Sequence, residues 1–338
     1  MDLRYAYANA RVKAMKSRLL SESVVKEMLA VQSVSEVVEL LEEDPVYKPF
    51  LVKNSERFKG VELVSRALQE SLVSTIKKMY GFAPASSKDE FKLLFAELEL
   101  NDLKTIIAKK ALGLPVDKTE LYNACPENGR LVEEMIAAKD CAAALAALRK
   151  SEYAAAFPQK LVCQLDKTAD FRMMASALSD YHHDFIARVI EGQGDASVAK
   201  ILRDKIDCDN IALALRLKKT GLTINEILPR LKKPVSARAK RVAETANYDA
   251  AVTAVEKEAR IKFSPEDRKT ISRIEVQLEK RFVEKAVRDF RLSVMSFGAI
   301  IGYYYLKLVE VENIRKIAFA THFGVKEELK DAVFAVNA

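Results

Sequence analysis

The amino-acid sequence predicts an all-α protein built from similar helical units. Ten Gly and nine Pro among 338 residues make each under about 3% of the chain, roughly half the usual share. β-Hairpins and sandwiches depend on Gly, Asn and Pro for their turns, so this scarcity argues against a β fold. Apolar–polar alternation never lasts more than a few residues. Because 49% of the residues are hydrophobic, the chain has enough apolar surface for two or three packing units.

A repeat is visible where three segments approach a glycine through the same pattern. The segments are residues 101–113, 209–221 and 312–324. In each, apolar residues lie ten, seven and six positions before the glycine, which is the spacing of an amphipathic helix. These columns are Leu103/Ile211/Ile314, Ile106/Ala214/Ile317 and Ile107/Leu215/Ala318. A glycine suits the position after a helix end, where φ is positive. We therefore predict three helices, each with a defined stop.

A short polar residue precedes the apolar stripe in all three segments. It is Asp102 in the first, Asn210 in the second and Asn313 in the third. Side chains of this kind commonly hydrogen-bond backbone groups that are close in sequence, and we expect local bonds here.

A second set of columns supports the repeat. Met28–Leu29, Met135–Ile136 and Arg241–Val242 each precede a stretch with the same spacing, at offsets of 107 and 106 residues. The glycines are 108 and 103 residues apart, so two independent sets of aligned positions give a similar repeat length. Helices are broken at Gly113-Leu-Pro115 and again between Gly221 and Pro234. We therefore predict three related helical units, residues 1–113, 114–221 and 222–338.

Positive charge is concentrated in one stretch of the chain. The formal charge is +7, yet residues 216–241 hold nine Lys/Arg and one Glu, or +8, so the remainder sums to −1. The basicity is therefore local and does not give the whole protein a nucleic-acid-binding character. One interpretation is a solvated helix end and loop; the other is a contact for an acidic protein, lipid headgroups or nucleic acid. Because the stretch contains no aromatic residue, nucleic acid ranks below the other two partners.

Cysteine usage and hydropathy indicate a reducing compartment and no membrane span. The four cysteines are Cys125, Cys141, Cys163 and Cys208. They show no C-x-x-C spacing, and we interpret them as scattered, mostly buried thiols. The N-terminus lacks the features of a secretory signal. The uncharged run Leu292–Leu306, with Gly298-x-x-x-Gly302, has 15 residues against the ~20 that a span needs, and we interpret it as a buried core helix.

No motif in the sequence specifies a catalytic, nucleotide or metal site. The chain has neither G-x-x-x-x-G-K-[ST] nor G-x-G-x-x-G, and Gly192-Gln-Gly194 is interpreted as a flexible turn. His182-His183-Asp184 is the one candidate metal cluster, but neighbouring helical residues point about 100° apart, so we expect a solvated helix face. With three histidines and no G-x-S-x-G, nothing supports nucleophilic catalysis. We expect no enzyme activity and no cofactor on this chain.

The opening segment and the glycine-ended helices resemble one known family. Residues 5–20, beginning Tyr5-Ala-Tyr7-Ala-Asn-Ala-Arg11, resemble the start of the C subunit of A-type ATP synthases, the counterpart of the d subunit of V-type ATPases. The three helices resemble that family's N-L-x-x-x-x-R-x-x-x-x-G element, and residues 313–329 resemble its C-terminal signature. The chain departs from the element in keeping its Arg only as Arg216. The resemblance nevertheless spans nearly the whole chain in order.

The resemblance implies a three-lobed, funnel-like α-helical protein with pseudo-threefold symmetry that binds no nucleotide and transports no ion itself. It further implies a peripheral rotor part on the cytoplasmic face of the membrane, seated on the proteolipid c-ring, with the central-stalk D and F subunits inserted into its mouth. Densely packed helices suit such a torque-transmitting role because they transmit strain. We add the hypothesis that exposed basic side chains at the repeat ends contact the partners. These residues are Lys218, Lys219, Lys232 and Lys233.

Two alternatives stay open on the sequence alone. A helical-repeat scaffold that binds nucleic acid or an acidic protein outside any ATPase would also carry a local basic stretch. An enzyme that lacks a recognisable motif is the second alternative. Genes for nucleotide-binding ATPase subunits beside this one would favour the rotor subunit over both.

Overall fold

The computed structural model is all-α, which confirms the predicted fold class. It describes residues 3–87, 90–124, 129–168, 170–192, 195–293, 295–329, 333–334 and 336. These ranges contain seventeen α-helices and short 3-10 turns but no β-strand. The α-helices are α1 Ala6–Lys16, α2 Glu22–Ala30, α3 Val34–Glu43, α4 Lys48–Asn54, α5 Gly60–Phe82, α6 Phe91–Ala111, α7 Gly129–Ala137, α8 Cys141–Leu148, α9 Gln159–Thr168, α10 Phe171–Glu191, α11 Ala196–Lys219, α12 Ile224–Ile227, α13 Ala237–Glu244, α14 Tyr248–Ala259, α15 Pro265–Lys269, α16 Ile271–Leu292 and α17 Gly298–Phe323.

The chain divides into two compact units. The first comprises residues 1–68 and 189–338, and the second comprises residues 69–188. The first unit therefore draws on both ends of the sequence. The three sequence repeats, 1–113, 114–221 and 222–338, stay a prediction about related segments within this division.

Three lobes share one construction, in which a long helix packs against a pair of short ones. In lobe A, α17 packs against α2 and α3; lobe A also contains α1 and α4. In lobe B, which comprises α6–α9 and the start of α10, α6 packs against α7 and α8. In lobe C, which comprises α11–α16, α11 packs against α13 and α14. Lobe A is distinctive because its long helix comes from the opposite end of the chain.

The hydrophobic cores of lobes B and C begin inside a long helix. The core of lobe B runs from Leu100 on α6 to Leu178 on α10. The core of lobe C runs from Ile211 on α11 to Leu278 on α16. Since both cores start before the repeat glycine, each one joins the end of one sequence repeat to the following repeat.

The second short helix of each pair begins at the same kind of cap. The N-cap residues of α3, α8 and α14 are Ser33, Asp140 and Asn247, at intervals of 107 residues. Each side-chain oxygen accepts a hydrogen bond from the backbone N–H three residues later, at 3.2, 2.8 and 2.9 Å. Such caps satisfy backbone donors that the first turn of a helix leaves without partners.

The predicted register of the third repeat is wrong by one residue. The sequence columns align Met28 and Met135 with Arg241, but the buried counterpart is Val242, and all three apolar side chains are 0% exposed. Arg241 instead lies at the surface, where its guanidinium binds Glu258 through two bonds of 2.7 Å. Because a charged side chain prefers water, Arg241 points outwards and Val242 takes the buried position. The buried residues Met28, Met135 and Val242 are then 107 residues apart in both intervals.

The three predicted helix stops are confirmed. Gly113, Gly221 and Gly324 follow α6, α11 and α17 with φ of +66°, +80° and +71°. A residue with a Cβ atom rarely adopts this left-handed conformation, so glycine is suited to the position.

The predicted core helix Leu292–Leu306 is correct only in its second part. Leu292 ends α16 and is 71% exposed, whereas residues 298–306 form the buried start of α17. A Cβ atom at Gly298 would clash with the Ser197 Cβ, and one at Gly302 would lie 3.4 Å from the Phe290 Cβ, so α17 packs closely on α11 and α16. Among the described residues, no helix combines the length and apolarity needed to cross a membrane.

Candidate functional site

The four predicted contact lysines occupy different environments. Lys219 and Lys233 are exposed, and the Lys219 ammonium lies 5.6 Å from the centre of the Tyr248 ring. Lys232 is about a third exposed and binds the Asp209 carboxylate at 2.8 Å. Lys218 is only 9% exposed, so the expectation that all four are surface residues is wrong for this one. The candidate contact surface therefore centres on Lys219 and Lys233.

A lysine of lobe B occupies the position that corresponds to Lys218. Lys110 also lies three residues before its repeat glycine, and its ammonium donates to the backbone oxygens of Ile136, at 2.6 Å, and Ala138. These carbonyls belong to the C-terminal end of α7, which attracts positive charge. Lys110 thus reaches from the long helix to the end of a short helix.

Much of the basic stretch is neutralised by acids that lie outside it. Four of its nine cations form ion pairs with carboxylates between residues 207 and 275. The pairs are Arg216–Glu275, Lys232–Asp209, Arg238–Asp207 and Arg241–Glu258. The exposed cations beyond these pairs are Lys219, Arg230, Lys233 and Lys240. The stretch therefore presents a smaller positive surface than its net charge of +8 indicates.

Asp209 shows how this neutralisation works. Burial favours the neutral acid, but the ammonium groups of Lys205 and Lys232 outweigh it and lower the pKa of Asp209. Their nitrogens lie 2.5 and 2.8 Å from the two carboxylate oxygens. Because Asp209 and Lys205 lie on α11 and Lys232 lies in the following loop, the ion pairs tie α11 to the loop that precedes α13.

The polar residue before each apolar stripe hydrogen-bonds to a segment further along the chain, and we call this residue the pin of its lobe. Asp102, Asn210 and Asn313 are 2%, 0% and 3% exposed. Their partners lie 20 to 22 residues further along the chain. The prediction of bonds to local backbone is therefore wrong, because these side chains face the lobe interior, where the loop after the helix returns.

The three pins differ in chemistry. The Asp102 carboxylate accepts from the N–H groups of Tyr122 and Asn123 at 2.7 and 2.8 Å. The Asn210 amide accepts from the Lys232 N–H and donates to the Lys232 carbonyl, both at 2.7 Å. The Asn313 amide donates to the Phe334 carbonyl at 2.8 Å. Burial raises the pKa of Asp102 to about 6, although the two N–H groups oppose this shift.

The other sequence candidates do not assemble into a reactive site. His182 is 9% exposed and has interaction partners, so the expected solvated face is wrong for it; its ring centre lies 6.3 Å from that of His183. Across the described ranges, no group of three His, Cys, Asp or Glu residues is arranged to hold a metal ion. Gln193 and Gly194 of the predicted turn lie outside the described residues.

The described cysteines are less buried than predicted. Cys163 is exposed, and Cys141 and Cys208 are partly buried. Burial raises the pKa of the Cys208 thiol to about 12, which keeps it protonated and weakly nucleophilic at neutral pH. Cys125 lies outside the described residues.

These features define an all-α protein in which, within the described ranges, buried polar side chains join segments inside each lobe. Residues 8–331 match the ATP synthase (C/AC39) subunit family, and the chain belongs to that family. Membership makes it a non-catalytic subunit of an ATP synthase and confirms the family resemblance stated from the sequence.

Three of its relatives are archaeal proteins of which the alignment covers most of the length. The chain is 26% identical to the C subunit of the A-type ATP synthase from Desulfurococcus sp. (strain SY) over 332 residues, covering 96% of this chain and 88% of the relative. It is 26% identical to the Thermococcus kodakarensis protein of the same name over 335 residues, with the same coverage. The corresponding Methanocaldococcus jannaschii protein is 24% identical over 93% of this chain and 82% of its own length.

Proposed function

We propose that this subunit is a rotor adaptor, which couples the central stalk of an A-type ATP synthase to the proteolipid c-ring for rotary ion transport and ATP synthesis. The observation that carries the proposal is the family match over residues 8–331, together with three lobes of one construction. In this role the subunit is peripheral, on the cytoplasmic face of the membrane. The central-stalk D and F subunits enter the mouth of a funnel of three lobes with pseudo-threefold symmetry.

The internal packing of the lobes supports a mechanical role. An adaptor has to be stiff, because compliance would dissipate strain before it reaches the catalytic head. Close-packed helices have low compressibility, and a buried hydrogen bond that pins each loop to its long helix removes a further freedom. The pins at Asp102, Asn210 and Asn313 and the close approach at Gly298 are the features that favour stiffness here.

The proposal is tested with a detergent-solubilised proteolipid ring and with the D and F stalk subunits. The full chain is expected to co-purify with the ring and with the stalk subunits, and to hydrolyse no ATP by itself. Failure to bind the ring and the stalk, under conditions in which those parts associate with the native adaptor of their own complex, would defeat the proposal.

Charge reversal tests the contact surface separately. Lys219→Glu with Lys233→Glu is expected to weaken assembly about tenfold or more while leaving the helical circular dichroism unchanged, since both side chains are exposed. The matched control is Lys257→Glu with Lys262→Glu, which reverses two exposed charges in the same lobe. Equal assembly by the two double variants would show that Lys219 and Lys233 are only solvated. Lys218 and Lys232 are left out because burial and ion pairing would confound the result.

The alternative of a scaffold that binds nucleic acid or an acidic protein outside any ATPase is less well supported. Its basis is the basic stretch, in which four of nine cations are already paired with acids of the same chain. A salt-dependent shift of labelled RNA or DNA at physiological ionic strength would favour this alternative.

A further inference from the structure

Lobe A contains a buried charged cluster where the two ends of the chain meet. Tyr47, at the start of α4, is 0% exposed; Lys307 and Glu310, on α17, are 1% and 3% exposed. The Lys307 ammonium donates to the Tyr47 hydroxyl and to the Glu310 carboxylate, both at 2.7 Å. The Tyr47 hydroxyl donates to the same carboxylate oxygen at 2.6 Å, and the ammonium lies 4.2 Å from the centre of the tyrosine ring.

The same carboxylate also holds the segment between α1 and α2. Its second oxygen accepts a hydrogen bond from the backbone N–H of Leu20, which lies 290 residues away in sequence. One side chain of α17 thus binds both the α1–α2 connection and the start of α4. Two further hydrogen bonds join the N-terminal segment to residues just before and just after α17: Asn9 donates to the Ser296 carbonyl at 3.0 Å, and Lys326 donates to the Val31 carbonyl.

In the other two lobes the chain itself joins the long helix to its short helices. In lobe B, α6 leads directly into the segment that carries α7, and in lobe C α11 leads through α12 into α13. In lobe A, α17 ends near the C-terminus whereas α2 begins at residue 22. Lys307 and Glu310 lie 17 and 14 residues before Gly324. The residues at the same distances before Gly113 and Gly221 are Ala96 and Glu99 in lobe B and Asp204 and Asp207 in lobe C, so neither lobe has a Lys–Glu pair at these positions.

The contact between the N-terminal segment and α17, here called the seam, contains a buried ion pair. Such a pair favours one arrangement of its partners but adds little to the free energy needed to separate them. Removing two charges from water is costly, so a buried pair adds little net stability compared with apolar packing. When the seam opens, Lys307 and Glu310 regain their hydration, and this gain offsets lost contacts. Removing only one partner is different, because the remaining charge stays buried without compensation.

We propose that Tyr47, Lys307 and Glu310 form a clasp that fastens the N-terminal segment, residues 3–54, to α17, and that lobe A opens at this clasp as a unit while lobe C stays folded. The segment leaves α17 by swinging about residues 55–59, its only covalent connection to α5. The contact that opens lies between residues 3–54 and α17, elements from opposite parts of the sequence.

Hydrogen exchange of the full-length wild-type protein provides the first test. Amides of α1–α4 are expected to exchange through a partial opening, at least about tenfold faster than the slowest amides of α13 and α14. If the two sets exchange together, through one global unfolding event, the proposed opening is wrong. This measurement needs no variant, so it does not depend on whether altered proteins fold.

Substitutions in the clasp provide the second test. Glu310→Gln leaves the Lys307 ammonium buried without its bonded carboxylate, and the exchange of α1–α4 amides is expected to rise about tenfold or more, with less than about a twofold change in α13 and α14. Lys307→Met combined with Glu310→Gln removes the lone charge and keeps an acceptor for Leu20, so protection is expected to recover to within about threefold of wild type.

The control is Asp289→Asn, which neutralises a buried carboxylate of lobe C that binds Lys200 at 2.6 Å. It is expected to leave the exchange of α1–α4 unchanged. Faster exchange of α1–α4 in the control than in Glu310→Gln, equal loss of protection in both lobes of Glu310→Gln, or no recovery in the double variant would each overturn the clasp.

Discussion

Lobes B and C use one architectural position with two different chemistries. Asp102 in lobe B and Asn210 in lobe C both precede the apolar stripe of a long helix, and both are almost fully buried. The acid receives two N–H donors from consecutive residues, whereas the amide pairs with the N–H and the carbonyl of one residue, Lys232. The architecture therefore demands a short polar side chain that reaches the returning loop, and the backbone groups presented by that loop decide between Asp and Asn.

The pin of lobe B, Asp102, has a titratable side chain, whereas the pin of lobe C, Asn210, does not. An amide keeps its hydrogen bonds at every pH, whereas a buried carboxyl with a pKa of about 6 changes its charge in a range where most carboxyls stay ionised. Lobe B is thus expected to respond to mild acid through its pin, and lobe C is not.

The largest expected effect comes from placing the acid of lobe B in lobe C. Asn210→Asp buries a carboxylate against the Lys232 carbonyl oxygen, and we expect the free energy of unfolding to fall by about 3 kcal/mol at pH 7. The loss should shrink as the pH is lowered and the new carboxyl takes up a proton. Urea unfolding followed by circular dichroism measures it. Asn225→Asp, at an exposed position of the same lobe, is the control; an equal effect there would show that Asn210 is not a specific pin.

The second effect is the pH dependence that Asp102 brings to lobe B. Its pKa is raised from 3.8 to about 6, so between these values the folded state holds a proton that the unfolded chain has released. Stability should accordingly fall as the pH rises through this window, by up to about 3 kcal/mol, and level off above it. Subtracting the profile of Asp102→Asn from that of wild type isolates the contribution. A flat difference between pH 4 and 7 would contradict the raised pKa.

The smallest effects come from shortening the neutral pins. Asn210→Ala removes two hydrogen bonds and Asn313→Ala removes one, so we expect losses of about 2 and about 1 kcal/mol in the free energy of unfolding. The exposed Asn101→Ala should change it by less than about 0.5 kcal/mol. The same urea experiment measures all three. A larger loss for Asn313→Ala than for Asn210→Ala would contradict a contribution proportional to the number of bonds.

Local patterns predict much of the fold because they report directly on helices. The apolar stripe ending at Leu215, with Gly221 six residues later, predicts both the buried face and the end of α11. The register error at Arg241 arises because Arg and Val both occur near a helix surface, and only the ion pair with Glu258 shows which one points outwards. Spacing alone contains no information about that partner.

The parts that sequence reasoning missed depend on contacts between distant residues. Nothing near Asn210 indicates that its partner is Lys232, and nothing near Glu310 indicates Tyr47 or Leu20. A signal for the clasp was nevertheless present, since Lys307 and Glu310 lie three residues apart beside a long apolar run that includes Gly302. Two opposite charges at helical spacing on a buried helix indicate an internal pair, because an isolated buried charge is too costly.

The rotor assignment is tested most directly by cross-linking mass spectrometry on the intact ATP synthase that contains this subunit. An amine-reactive cross-linker is expected to join Lys219 and Lys233 to the proteolipid ring or to the central-stalk D and F subunits, since both ammonium groups are exposed. Cross-links from these lysines exclusively to subunits that do not rotate would contradict the account.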